Sequence, residues 1–404
     1  MTAVAEVTLR QIYDSRGQPT IEATVASEAG VLGRAGAPSG ASTGTHEVRA
    51  FPEGGVAEVL RRFGAREREK LVGVPLGAQA DWDLLLRTLD GRPDLSRLGG
   101  NTATALSLAY ARAGATESDR PLWEVWRRPG VASKQFPNLV GNCLNGGKHA
   151  INGPEFQEFL AIASAEHPED SLRAALDVHR RVGAALRARS PTAALGRGDE
   201  GGWVAAVESR EGLEILSRAC RETREELHLP VHPGLDLAAS EFYSDGRYHY
   251  RGTTRSPEEQ RRFLVDLVDE FGLTYVEDPF DQEDFDSFSR FTAEVGGRCR
   301  VVGDDLYTTR RERLERGIAA RATNAILIKV NQVGTLTDTF ATIDRARAAG
   351  WATVTSHRSG EVPEEWLPHL AVASGAAGLK CGLMGGERIA KLNELLRLAG
   401  PTES

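Results

Sequence analysis

Residues 301–306 read VVGDDL, residues 326–334 read ILIKVNQVG, and residues 352–360 read ATVTSHRSG. Each is a short β-branched or apolar run that ends on groups able to do chemistry: Asp304 and Asp305, then Lys329, then His357, Arg358 and Ser359. Asp304 and Lys329 lie 25 residues apart, and Lys329 and His357 lie 28 apart, about the length of one strand, one helix and two loops. Charged residues at the ends of successive buried strands mark a (β/α) barrel whose active site occupies the C-terminal face. Strand-end charges that merely reach solvent explain one such residue. They do not explain a Lys directly after Ile-Leu-Ile, because an uncompensated buried ammonium is costly.

The pattern extends upstream and downstream. Asp236 ends the run HPGLD, Glu277 ends TYVE, and Lys380 sits inside GLKCG. The segment 136–164 carries an apolar strand, a Gly-rich loop with Lys148 and His149, and a second strand with Glu158; Glu200 follows in GRGDEGG. Asp236, Glu277 and Asp304, on three successive strands, converge at the barrel mouth. Three hard oxygen ligands without His or Cys suit Mg²⁺, where zinc would call for nitrogen or sulfur. Lys329, on the next strand, is expected to have its pKa lowered by partial burial and so to serve as a base.

Residues 5–37 alternate apolar and polar around the turns DSRGQP and SEAG, an antiparallel meander. PSGASTG at 38–44 follows, read as a mobile lid whose backbone and hydroxyls meet an anion or metal. From 54 to 127 the pattern is helical, with VAEVLRRFGAREREKL read as one of three or four amphipathic helices packed on the meander. The linker PGVASKQF then separates an α+β capping domain, residues 1–130, from a barrel, residues 131–404.

A length of 404 residues fits two domains, and a net charge of −8 argues against nucleic acid or an anionic membrane as partner. No apolar run approaches a membrane span, and MTAVAEVTLRQ lacks the basic-then-apolar layout of a signal peptide. Cys143, Cys220, Cys299 and Cys381 form no CxxC pair and read as reduced core thiols, so the expected location is cytoplasmic. Six Lys stand against 43 Arg, and a Lys retained in such a chain is more apt to be needed for its tunable pKa or compact charge.

DSRGQPT, PSGASTG, GDEGG, LDLAASEFY, VEDPFDQEDF, VVGDDL, LIKVNQVG, SHRSGE and ERIAKLNELLR occur in that order across nearly the whole chain. Together they resemble the enolase family. The resemblance implies a barrel whose first two strands run antiparallel, capped by the N-terminal domain. It implies dehydration of a 2-phosphoglycerate-type substrate with two Mg²⁺ per site. Asp236, Glu277 and Asp304 would hold the first ion, and Ser42 would help hold the second. Lys329 would remove the C2 proton and Lys380 would stabilise the carboxylate intermediate. Glu200, with Glu158 beside it, would help the C3 hydroxyl leave, and His357 would sit nearby. Arg358 and Ser359 would grip the phosphoryl group, with His149 closing over it. The resemblance also implies a homodimer, with Arg10–Glu361 and Glu22–Arg397 as candidate ion pairs across its two-fold. The histidines outside these motifs, His46, His167, His179 and His249 among them, read as surface residues.

Three departures stand out. Lys148 replaces the usual Ser of the second lid, Trp203 replaces a Phe, and GLMGGER precedes the last helix. A long cation beside His149 and room at Gly385–Gly386 open a second reading. In it the phosphorus carries an extra carboxyl group, as in a carboxyphosphonoenolpyruvate synthase of phosphonate biosynthesis.

Overall fold

A computed structural model describes residues 2–41, 43–131, 134–150, 152–192 and 194–400, with the side chains of residues 65 and 66 apart. The strands Val4–Tyr13, Pro19–Ser27 and Leu32–Gly36 form the expected antiparallel meander. Its buried face packs on the helix Gly100–Glu117, so closely that a methyl group on Gly33 would lie 2.0 Å from the Ala109 carbonyl. The stretch VAEVLRRFGAREREKL is two helices, Gly55–Arg62 and Ala65–Leu71, rather than one. Gly64 adopts an extended conformation between them and caps the second, a role suited to the residue with the weakest helix preference after Pro.

Eight strands close the barrel: Asn138–Asn145, Glu158–Ala163, Val231–Asp236, Tyr275–Glu277, Arg300–Gly303, Ala325–Ile328, Ala352–Ser356 and Gly378–Gly382. The last pairs with the first in parallel and completes the ring. Glu158–Ala163 alone runs against both its neighbours. That reversal has a direct consequence for the site. Glu158 begins its strand yet pairs in register with Asp236, which ends the next, and Asp236 pairs with Glu277. Three carboxylates therefore reach one rim. Below the rim, Leu160, Ile162, Tyr275, Val302, Leu327 and Val354 fill the barrel with apolar side chains. Chemistry is thus confined to the open end.

The N-terminal domain is docked onto that end. Asn331 donates to the Pro38 carbonyl and to Asn101 Oδ1, both at 3.1 Å. Ser39 and Gly360 exchange backbone hydrogen bonds at 2.7 and 2.8 Å, which lays the first lid against the loop of His357.

Candidate active site

Lys329 emerges from the strand Ala325–Ile328 and gives its ammonium to Asp304 Oδ2. Gln332, in the following turn, donates to the other oxygen of Asp304 at 2.9 Å. Lys380 is buried and reaches Glu277 Oε1 at 2.7 Å, Asp236 Oδ2 at 2.9 Å and Glu158 Oε2 at 3.1 Å. Across the mouth, His357 Nε2 meets Glu200 Oε2 at 3.1 Å, while His149 Nε2 lies 3.7 Å from Glu200 and 3.8 Å from Glu158. Arg358 directs its guanidinium to both oxygens of Glu47, at 3.0 and 3.1 Å, and to Asn331 Oδ1 at 2.8 Å. Ser359 Oγ accepts from the Ala41 N–H in the lid at 2.5 Å. His149, Glu158, Glu200, Lys329, His357 and Lys380 line one small polar pocket, with Arg358 and Ser359 at its wall.

Lysines, acids and imidazoles thus gather round one pocket, as a reaction that takes a proton and gives one requires. The comparisons agree with that reading. The family described as "Enolase, N-terminal domain" matches residues 4–125, and "Enolase, C-terminal TIM barrel domain" matches residues 133–402. The chain is 43% identical over 403 residues to the enolase of Methanosphaera stadtmanae, covering 98% of this chain and 97% of that one. It is 44% identical over 401 residues to the enolase of Methanothermobacter thermautotrophicus, with 98% and 96% covered. For the enolase of Thermoplasma acidophilum the identity is 41% over 395 residues, with 98% of each chain covered.

The chain belongs to the enolase family.

It is a hydro-lyase, as its enolase domains and relatives indicate. Within this enolase site, burial and mutual repulsion set the protonation. Burial, then the charge of Asp236, pushes Glu277 up to about 8. Burial, then the charge of Glu200, pushes Glu158 well above the carboxylate range. Glu200 is buried too, but the imidazole of His357, followed by His149, holds it well below that range. His357 itself is lowered to about 4, chiefly by burial. It is therefore neutral near pH 7. Its Nδ1 accepts from the Gly382 N–H at 3.2 Å, so the ring proton is on Nε2 and faces Glu200 as a donor. Proximity of two buried acids leaves one proton between them, and in this arrangement it resides on Glu158.

Lys329 departs from expectation. Burial is the largest influence and lowers its pKa, but the surrounding carboxylates, Asp304 first and Glu277 after it, together outweigh burial and hold the ammonium above the usual range. As a base it needs that carboxylate drawn elsewhere.

The donor set fits a hard divalent cation. Asp236, Glu277 and Asp304 offer oxygen only, are buried, and end adjacent strands. Here two lysines serve as their counter-ions, Lys380 for Asp236 and Glu277 and Lys329 for Asp304. Among the described residues, two groups bring possible ligand atoms within 4.8 Å of one another: His149 with Glu158 and Glu200, and Asp278 with Asp304 and Asp305. Asp278 is committed elsewhere, since its two oxygens accept the Asp304 and Asp305 N–H groups at 3.0 and 2.7 Å. It orients the rim rather than competing for an ion. Ser42 lies outside the described residues.

Other expectations need correction. His179 is buried, not on the surface. It stacks on Trp203 with ring centres 5.2 Å apart and bonds the Gly201 carbonyl at 3.0 Å, propping the Glu200 loop. The Arg10–Glu361 pairing across an interface fails because Glu361 is buried and paired with Lys391 of its own chain at 2.7 Å. Glu22 already pairs with Arg10 within the chain at 3.1 Å. Lys148, half-exposed, turns away to Glu241 at 2.5 Å.

Glu47, Asp278, Asn331, Gln332 and Arg388 escaped the sequence reading. Four of them stand inside or beside quoted motifs, but only their partners reveal their use. Glu47 gave no signal.

Proposed function

We propose that this chain dehydrates 2-phosphoglycerate to phosphoenolpyruvate in the presence of Mg²⁺. The single observation that carries the reading is that Lys329 and the Glu200–Glu158–His357 group line one pocket. Lys329 takes the C2 proton, and the C2–H pair becomes part of the carboxylate-stabilised carbanion. That pair then forms the C2–C3 double bond as the C3 hydroxyl leaves, and the hydroxyl departs as water with the proton shared by Glu158 and Glu200. His357, neutral and donating from Nε2, keeps the Glu200 carboxylate in line. Lys380 meets the carboxylate end, and Arg358, Ser359 and His149 receive the phosphoryl end. Asp236, Glu277 and Asp304 would hold Mg²⁺, with Ser42 contributing to a second ion. When bound, the ions supply positive charge against the carboxylate intermediate.

Support for plain 2-phosphoglycerate over a carboxyphosphono substrate comes from Lys148, whose ammonium is engaged by Glu241 rather than facing the phosphoryl end. If Lys148→Ser leaves kcat/KM on 2-phosphoglycerate within two-fold, the plain reading stands. A gain of ten-fold or more would revive the carboxyphosphono alternative. Roles are separated by solvent deuterium: Lys329→Ala should abolish C2 exchange, whereas Glu200→Gln should spare exchange and block product formation. Equal exchange in both variants would refute the assignment. Asp304→Asn should remove Mg²⁺-dependent activity, and full turnover of the native protein in EDTA would contradict the metal role.

We further take residues 1–130 and 131–404 as the two domains, and a cytoplasmic homodimer as the working form. The free, buried cysteines support the location. Among the described residues no helix is long and apolar enough to cross a membrane. A monomer in light scattering at micromolar concentration would refute the dimer.

A further inference from the structure

The last helix, Gly386–Ala399, inserts a guanidinium behind the site. Arg388 is completely buried. Its Nη1 donates to the Arg358 carbonyl at 2.7 Å, and its Nη2 donates to the Ser359 carbonyl at 2.8 Å and the Asp199 carbonyl at 2.9 Å. These carbonyls belong to two loops about 160 residues apart in sequence, one carrying Glu200 and the other His357. The side chains of those neighbours are the pair that meet at 3.1 Å across the cavity.

Each loop has anchors besides Arg388. The His357 loop is also tied by Arg358 to Glu47, by Ser359 to Ala41, and by Lys391, which donates to the Val362 carbonyl at 2.9 Å. The Glu200 loop is also tied by an ion pair from Arg16 to Asp199 at 3.2 Å, by the His179–Gly201 bond, by Asn142, which donates to Glu200 at 3.4 Å, and by the pairing of Trp203–Val204 with Leu144–Asn145. Arg388 is the buried charge that bridges the backbone of one loop to that of the other. A buried charge is a poor way to fill space, since an apolar side chain of equal volume does so without desolvation. What the guanidinium adds is a rigid planar fork that holds carbonyls from two segments at a fixed spacing.

We propose that Arg388 is a positioning residue that sets the distance between Glu200 and His357, and so governs the hydroxide-releasing half of the reaction. This rests on the roles proposed above for Lys329 and Glu200. Lys329 ends the strand beside the one that carries His357, and its hydrogen bonds go to Thr309 and Asp304 rather than to Arg388. Loosening the fork should leave proton abstraction at C2 in place while slowing departure of the hydroxyl.

The test measures C2 hydrogen exchange into D₂O and net dehydration on the same full-length, Mg²⁺-loaded samples. Arg388→Lys should lower dehydration ~100-fold, the effect of misplacing a reacting group by about an ångström. Exchange should fall less than about three-fold, so the ratio of exchange to dehydration rises by more than ten-fold. Lys391→Met, which loosens only the His357 loop, is the comparator and should lower both rates together. Arg388→Gln, which keeps two N–H donors, should give an intermediate ratio and guards against a poorly folded Lys variant. A constant ratio in both Arg388 variants, or loss of fold in both, would overturn the proposal by assigning the three bonds to stability alone. If the native protein gives neither exchange nor dehydration, the functional reading fails first, and this inference falls with it.

Discussion

Lys380→Met should make the stability of this protein strongly dependent on Mg²⁺. The Lys380 ammonium is the shared partner of Glu277, Asp236 and Glu158, at 2.7, 2.9 and 3.1 Å, and all four side chains are buried. Removing one member of such a group strands buried carboxylates and costs roughly 3–5 kcal/mol. For 404 residues the entropy of unfolding is about 0.85 kcal/mol per degree, so the loss corresponds to a fall in Tm of about 4–6 °C. That fall applies in EDTA. With saturating Mg²⁺ a second cation neutralises two of the same carboxylates, and the fall should shrink to less than half. By the same linkage the variant should bind Mg²⁺ more tightly than the parent, because a competing cation is gone. Differential scanning calorimetry with and without Mg²⁺ measures the first effect and isothermal titration the second. An equal fall in both buffers, with unchanged affinity, would refute the assignment of Asp236 and Glu277 as metal ligands.

Three further outcomes follow from other parts of the site. Burial lowers His357 from 6.5 to about 4, so its contribution is fully present above pH 6.5 and is lost as pH falls toward 4. This is worth about 3 kcal/mol at most, and His357→Asn should flatten the acid limb of a Tm–pH profile; an unchanged limb would count against a neutral buried imidazole. Gly382→Ala would put a methyl 2.0 Å from the Glu200 carbonyl, and should cut dehydration by more than ten-fold while C2 exchange persists, a split that the deuterium assay reads directly. Gly183→Ala would meet the Trp203 indole at 2.5 Å, and should lower Tm by about 1–4 °C through overpacking of roughly 1–3 kcal/mol; no change in calorimetry would mean that the indole moves freely.

The barrel and the ends of its strands were legible because that information is local. Each β-branched run followed by a charge announces a strand and the side chain at its rim, so Asp236, Glu277, Asp304, Lys329 and His357 could be numbered before any contact was known. The scarcity of Lys pointed the same way, and Lys391, inside ERIAKLNELLR but given no role there, proves to be buried against Glu361. The family's motif order supplied the reversed second strand, which no periodicity in the chain announces. What only the tertiary structure decided is which charge faces which. Lys380 draws in three acids that lie 103 to 222 residues from it in sequence, and Arg388 joins loops that only closure of the ring brings together. The proton between Glu158 and Glu200 is likewise divided by the imidazoles and the ammonium around them. Charge state depends on burial and on partners distant in sequence, and both exist only once the ring has closed.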